Sequence, residues 1–600
     1  MLANRVASRL GQKDATLYAS IPDATEHISG FLGWTSLCSD PPLSIQEIAA
    51  IAAGIRLEGL EAVVLIGQGG SSQASMTITK LHEVYHSSGV AFRTMDSLSP
   101  VFVNHILGSS DPAKTLYIVS SKSGSTIEPL MLERVAWQYV TGHLGTQGAS
   151  KRFVAITDPN SKLEQMAKEK GYRFVLSSPT DVGGRFSALS VFALFPSACI
   201  GLDIENAIKL AAKAEVVCTT DSTWNPALSL ACFIYENYCN GRDKISLVMP
   251  PSGQVFGLWL EQLIAESLGK HGKGILPNVE VDASILSVPH DDRCVISYAV
   301  GQSEGFLESI AHFDPSIPSR HYSLDSVREL FSRFVIWEYA VAFLGLLLKV
   351  NPFDQPDVED TKKRVKTLLL TSDMGQKGRG RWDRGDGAVC PTNPSGTNCP
   401  VPSVPPAPSL LSHDKHNLTD YVEVDFPIVD YVQTVRISKA LSADLDLPVG
   451  DISLDQALRS LLGSLKHGDY FSLNAFLPFR GYGRREALER MRNRVASRLG
   501  VASCLEIGPR YLHSTGQLHK GGPDTGVFLF ISADEDNDIA IPGENFSLGD
   551  LASTQARGDF EALASRGRRV IQVHLTGNDS ETLSRFADRF CLAVSAVKAP

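Results

Sequence analysis

Apolar residues recur along this chain with two alternating patterns. Short apolar runs at Ala62-Val63-Val64-Leu65-Ile66, Thr115-Leu116-Tyr117-Ile118-Val119 and Ile245-Ser246-Leu247-Val248-Met249 read as strands. Over residues 46–220 such runs alternate with helical spacing, the pattern of a doubly wound parallel sheet. Residues 1–45 read as a helical lead-in. Residues 221–375 continue with one strand and mostly helices and form a second subdomain. The stretch 376–410 is rich in Gly, Pro, Arg and Ser and reads as a flexible low-complexity linker. Beyond it come a helix at 453–467, a strand at 469–478, a helix at 483–499 and a strand at 526–532. Residues 411–600 are therefore a C-terminal α/β part expected to complete the second subdomain. The fold class is α/β, with doubly wound parallel sheets in two subdomains flanked by helices and a C-terminal α/β extension.

Residues 259–269 predict one amphipathic helix, with Trp259, Leu260, Leu263, Ile264 and Leu268 as its apolar stripe. Gln262 and Glu266 stand four apart on one side of it. A carboxylate beside an amide can act as a proton-transferring base, although a glutamate on such a helix is more often simply solvated.

Three loops upstream change that balance. Gly67-Gln68-Gly69-Gly70-Ser71-Ser72 follows a strand and opens a helix, so free backbone N–H groups face any ligand there. A dinucleotide site would need glycine where Ser72 stands, even though Asp96 ends the next strand-like run, and no Gly-Lys-Ser/Thr follows. A tight turn needing glycine for backbone reasons is the plain alternative. The second loop, Ser120-Ser121-Lys122-Ser123-Gly124-Ser125-Thr126, leads into a helix at Ile127. Capping requires one hydroxyl, and four stand beyond the strand, at 121, 123, 125 and 126, which favours anion binding. Third, Asp181-Val182-Gly183-Gly184-Arg185-Phe186-Ser187 puts a guanidinium beside two glycines, where it could stabilise a developing enolate oxygen.

These segments resemble glucose-6-phosphate isomerase of the sugar-isomerase (SIS) fold. The likeness extends through Gln262–Lys270 and through Asn351-Pro352-Phe353-Asp354-Gln355-Pro356-Asp357-Val358-Glu359 with Lys362 beyond. The run Gly508–Pro523 is similar to the isomerase half of bacterial bifunctional transaldolase/glucose-6-phosphate isomerase fusions. The resemblance implies interconversion of glucose-6-phosphate and fructose-6-phosphate through a cis-enediolate, in glycolysis and gluconeogenesis. It implies Glu266 as the base, Arg185 as the enediolate partner, and Lys362 with a histidine for ring opening. Ser121, Lys122, Ser123 and Thr126 would hold the phosphate, Gly70 and Ser71 the sugar or its phosphate, and Gln262 and Gln355 would line the pocket. The histidine departs from the family pattern: His-Ser-Thr-Gly-Gln occurs only at His513, after the Asp-Gln-Pro motif, and the role is assigned there, in cis or in trans. Gln68 replaces a usually apolar residue and is expected to affect packing. A non-catalytic SIS module that senses a sugar phosphate, and an isomerase of another hexose or pentose phosphate, remain open.

The reaction needs a base, an oxyanion stabiliser and a ring-opening group, so no cofactor and no metal is expected; no paired C-x₂-C or H-E-x-x-H occurs. A net charge of −10 over 600 residues, without an extended basic face, argues against nucleic-acid and membrane-surface partners. The longest apolar run, around 337–350, is broken by Glu338, and no span of membrane length is expected. Ten scattered cysteines read as reduced thiols in a cytoplasmic protein, with Cys390 and Cys399 in the linker. The sugar phosphate is the expected partner; a homo-oligomer and a transaldolase domain preceding this half are compatible with the resemblance. The octapeptide Asn-Arg-Val-Ala-Ser-Arg-Leu-Gly occurs at 4–11 and again at 493–500, which favours ordinary helix over a targeting signal at the N-terminus.

Overall fold

A computed structural model describes residues 1–600 except 22–23, 87–88, 281, 302–303, 377–419, 426–430, 443–452, 478–482, 535–536 and 578. Residues 377–410 of the low-complexity stretch, with Cys390 and Cys399, lie outside the described residues.

Among the described residues, three sheets organise the chain. The first contains β1 (Ala62–Gly67), β2 (Ala91–Met95), β3 (Thr115–Ser120), β4 (Phe153–Thr157) and β5 (Phe174–Ser177), all parallel in the order β2-β1-β3-β4-β5. Strands β1 and β3 are buried along their whole length, as helices on both faces require. The chain leaves β1 to one side and returns to β3 on the other, so a crevice opens between their carboxyl ends. Both the glycine loop and the serine loop lie at that crevice.

The second sheet contains β6 (Lys244–Val248), β7 (Leu276–Glu280), β8 (Arg293–Val300) and β9 (Ser319–Leu324), parallel in the order β7-β6-β8-β9. The helix Gln254–Leu268 follows β6. It starts five residues before the expected stretch, and its polar positions are buried too, including Glu261, Gln262, Glu266 and Ser267. The amphipathic reading fails because the C-terminal region covers the side that the pattern leaves to water.

That region does not complete the second sheet. Residues 421–575 form a sheet of their own from β10 (Tyr421–Asp425), β11 (Val432–Ser438), β12 (Tyr470–Phe476), β13 (Ala502–Ile507), β14 (Gly526–Ala533) and β15 (Arg569–Leu575). Its order is β10-β11-β15-β14-β12-β13, with β10 and β11 antiparallel additions to a parallel set. The sheet has a separate apolar core, built on Leu458, Leu473, Leu529, Ile571 and Phe586.

The helix Val327–Leu348 corrects another expectation, because its 22 residues are long and apolar enough to cross a membrane. It is nevertheless mostly buried in the large core with Trp337, Tyr339 and Phe343, and Glu338 lies fully buried in its middle. A central helix of an α/β core passes the same compositional test. Both octapeptide copies are helical. Val6, Ala7 and Leu10 are buried in one, and Val495, Ala496 and Leu499 in the other.

Within the C-terminal part, a buried ion pair joins two of its helices, Gly516–Gly521 and Leu548–Ala564. Lys520 Nζ lies 2.6 Å from Asp559 Oδ1, and neither side chain is more than 1% exposed. Tyr511 donates its hydroxyl to Asp559 Oδ2 at 2.7 Å, and Thr361 donates to Oδ1 at 3.2 Å. Lys520→Met would leave an uncompensated carboxylate in the interior, at a cost of about 3–5 kcal/mol. Urea unfolding checks this; a loss under about 1 kcal/mol would show that Asp559 is not held by Lys520.

Candidate active site

The glycine loop after β1 is shaped by what it touches. A Cβ on Gly70 would stand 2.1 Å from the carbonyl oxygen of Gly184, so the loop packs backbone to backbone on the Gly-Gly-Arg turn. Gly69, at φ +56°, faces Gln262 Nε2 and the His513 side chain. Ser71 donates its hydroxyl to the Gln68 carbonyl at 2.8 Å. Gln68 donates Nε2 to the Asp96 carbonyl at 2.7 Å, so its amide braces the neighbouring strand end.

The serine loop follows β3. The Ser121 hydroxyl is buried with no hydrogen-bond partner among the described residues, a state that a bound anion would relieve. Thr126 stands at the N-cap of the helix Ile127–Ser150 without making a side-chain cap bond, so its hydroxyl is not spent on the helix. Ser123 Oγ accepts from the Ser125 hydroxyl at 2.9 Å. Lys122 corrects the expectation placed on it. Its ammonium pairs with both Asp158 oxygens, at 2.8 and 2.9 Å, and donates to the Pro179 carbonyl. It fastens the loop from behind and is not directed at the hydroxyls.

Arg185 is the most constrained side chain of the cluster. Nε donates to Ser267 Oγ at 2.8 Å, Nη1 to Gln355 Oε1 at 2.9 Å, and Nη2 to the carbonyls of Pro352 and Asp354 at 2.7 and 2.8 Å. Burial lowers its affinity for the proton, with Glu266 and Asp354 opposing. Glu266 Oε1 lies 3.5 Å from Arg185 Nη1, and Glu266 Oε2 accepts from Gln262 Nε2 at 3.1 Å. The two residues predicted to share a helix face are thus bonded to each other, with the guanidinium beside them.

His513 reaches this cluster from its own chain. Its Nε2 is 3.1 Å from Glu128 Oε1, and Gln555 Nε2 donates to the same oxygen at 2.6 Å. Burial pushes the Glu128 carboxyl up, but the charge and hydrogen bond of His513 and the Gln555 bond outweigh it and hold the group below its ordinary value. An ionised Glu128 can only accept, so Nε2 carries the hydrogen of this contact, and in the tautomer with a single ring hydrogen Nδ1 keeps its lone pair.

Lys362 is not joined to this cluster. Its ammonium pairs with Glu359 at 2.7 Å, and the side chain is 53% exposed. Val358, Thr361 and Val365 form the buried face of its helix, which leaves 362 outside. Lys270 stands in the interior. Its Nζ lies 2.9 Å from Asp354 Oδ1 and donates to the carbonyls of Ser267 and Asn351. Burial first, then Arg185, push that ammonium down to about 7 against the pull of Asp354. Sequence reasoning missed Lys270, Ser267 and Glu128. For Glu128 the only local signal was its place in the first turn of a helix, where an acid is ordinary.

Comparison with known proteins adds a second line. A family model described as phosphoglucose isomerase matches residues 46–283. A glucose-6-phosphate isomerase of Staphylococcus epidermidis is 33% identical over 417 residues, spanning 60% of this chain and 91% of that protein. One from Alkaliphilus metalliredigens is 28% identical, again over 60% of this chain and 91% of the other. Among solved structures, a hypothetical protein of Thermus thermophilus superposes with a TM-score of 0.50 at 23% identity, over 62% of this chain and 96% of that one.

The packing of Gly70 on Gly184 makes a direct prediction. Gly70→Ala forces a methyl into a backbone carbonyl and costs about 1–3 kcal/mol in a urea titration. A cost below about 0.5 kcal/mol would mean that the two loops are not packed this closely.

Proposed function

The chain belongs to the glucose-6-phosphate isomerase family and interconverts glucose-6-phosphate and fructose-6-phosphate, and we propose that Glu266 moves the proton and Arg185 holds the enediolate charge. The observation that carries this reading is the contact between a carboxylate and a fully buried, fully bonded guanidinium. In the open-chain aldose, Glu266 takes the proton from C2 and returns it to C1. Negative charge then develops on the sugar oxygens, where a fixed cation costs no reorganisation. Gln262 holds Glu266 by its second oxygen and Gln355 holds Arg185, so both reacting groups are oriented by amides.

Ring opening precedes the proton transfer and falls to His513. With its Nε2–H given to Glu128, Nδ1 is the lone pair available to a ring hydroxyl. The phosphate goes to Ser121, Ser123 and Thr126 at the start of the 127–150 helix, whose N-terminal amides favour a dianion. Gly70 and Ser71 line the sugar side of the crevice. Lys122 acts through the loop it anchors to Asp158. Lys362 has no contact here that supports a part in ring opening. A module that only senses a sugar phosphate would have no use for a carboxylate held against a buried guanidinium.

A coupled assay converting fructose-6-phosphate to glucose-6-phosphate tests the reading. Glu266→Gln should lower kcat by ~10²–10⁴ while calorimetry still detects fructose-6-phosphate binding. Arg185→Lys keeps one charge but loses the fork of donors, and should lose ~10²–10³ in kcat. Turnover in Glu266→Gln at the wild-type rate would remove Glu266 from the chemistry.

A further inference from the structure

The loop carrying His513 is fastened by buried carboxyls from three separate elements, and a fourth carboxyl, on β13, faces it. Arg510 Nε lies 2.8 Å from Asp96, which follows β2. His513 meets Glu128. Ser514 donates its hydroxyl to Glu261 Oε1 at 2.8 Å. Glu506, on β13, faces Thr515 and Glu261. Asp96 and Glu128 each have a cationic or protonatable partner in the loop. Glu261 and Glu506 have each other and the field of Arg510, a charge already paired with Asp96.

Glu261 is also the residue before Gln262, on the helix that carries Glu266. Its bond to Ser514 therefore ties the helix of the proton-transferring group to the loop of the ring-opening group, across 253 residues of chain. We infer that Glu261 is a positioning residue that fixes His513 against the Glu266 helix. The inference rests on the roles given above to Glu266 and His513.

The electrostatics agree with the geometry. Burial pushes Glu261 up to about 7, with the Ser514 bond and Arg510 opposing. Burial and the charge of Glu261 push Glu506 well above its ordinary range as well. The charged and titratable groups that face Glu261 are Arg510 from the loop and Glu506 and Cys504 from β13; burial and Glu506 push the Cys504 thiol up, so it stays neutral. Above pH 7 Ser514 donates to a carboxylate, and below it to a neutral acid, a weaker acceptor. The loop is thus held more tightly on the alkaline side.

Exchange of glucose-6-phosphate anomers on the whole enzyme, followed by NMR, reads ring opening directly. Glu261→Leu and Ser514→Ala should each slow it about tenfold, with KM within about twofold, and the double variant should lose no more than either alone. Glu261→Gln keeps an acceptor for Ser514. It should restore most of the exchange rate while flattening the wild-type dependence on pH near 7. Ser514→Ala removes the bond without touching a buried acid, so a folding failure of Glu261→Leu leaves the test intact. Single losses that multiply in the double variant would overturn the inference. So would wild-type exchange in both single variants alongside slow exchange in His513→Ala. Wild-type exchange in His513→Ala itself would overturn the assignment of His513, and this inference with it.

Discussion

Burial of the Arg185 guanidinium is the constraint to which the centre of this molecule is fitted. An unpaired charge taken out of water costs several kcal/mol, so a guanidinium whose side chain is only 4% exposed persists because acceptors surround it. Those acceptors come from two places: Ser267 and Glu266 on the 254–268 helix, and the 352–355 stretch through the Pro352 and Asp354 carbonyls and the Gln355 amide. Satisfying one side chain therefore locks a helix, a turn and the Asn351–Asp357 loop into one arrangement. Lys270 repeats the logic one turn further on, clamping the same loop through Asn351 and Asp354.

The interior around that clamp is unusually rich in acids for a protein core. Asp96, Glu128, Glu261, Glu506 and Asp559 are all buried, and each meets the region between Arg510 and Lys520. A segment made of one 3-10 turn, Arg510–His513, and a six-residue helix, Gly516–Gly521, has few backbone bonds of its own, so its placement must come from side-chain partners. Carboxyls suit that task because each accepts several bonds and can be discharged by sharing a proton. The segment gains a fixed conformation without being part of any sheet.

Much of the centre was legible because its constraints are local. The glycine loop at 67–70, the hydroxyls at 121–126 and the pair Gln262–Glu266 follow from strand-to-helix turns and helical spacing, which sequence records directly. What escaped depends on partners far away in the chain. The parts given to Lys122 and Lys362 come from the family resemblance, which does not show their partners in this chain; Asp158 claims the ammonium of the first, and the buried stripe of its helix turns the second outward. The polar side of the 254–268 helix looked solvated because nothing nearby announces that residues 506–521 will cover it. Likewise the parallel pairs of the C-terminal sheet give no local sign of whether they extend an earlier sheet or start a new one.

The bond between Glu261 and Ser514 also orders events in time. A ribosome adding about 5–20 residues per second needs roughly 13–50 s to make the 253 residues between them. During that interval the nascent chain can already close the first sheet and shape the loops after β1 and β3. It still lacks His513, and the acids destined for the interior lie in water. Competence therefore arrives in one late step, when the last sheet docks and buries those acids together with the segment they hold.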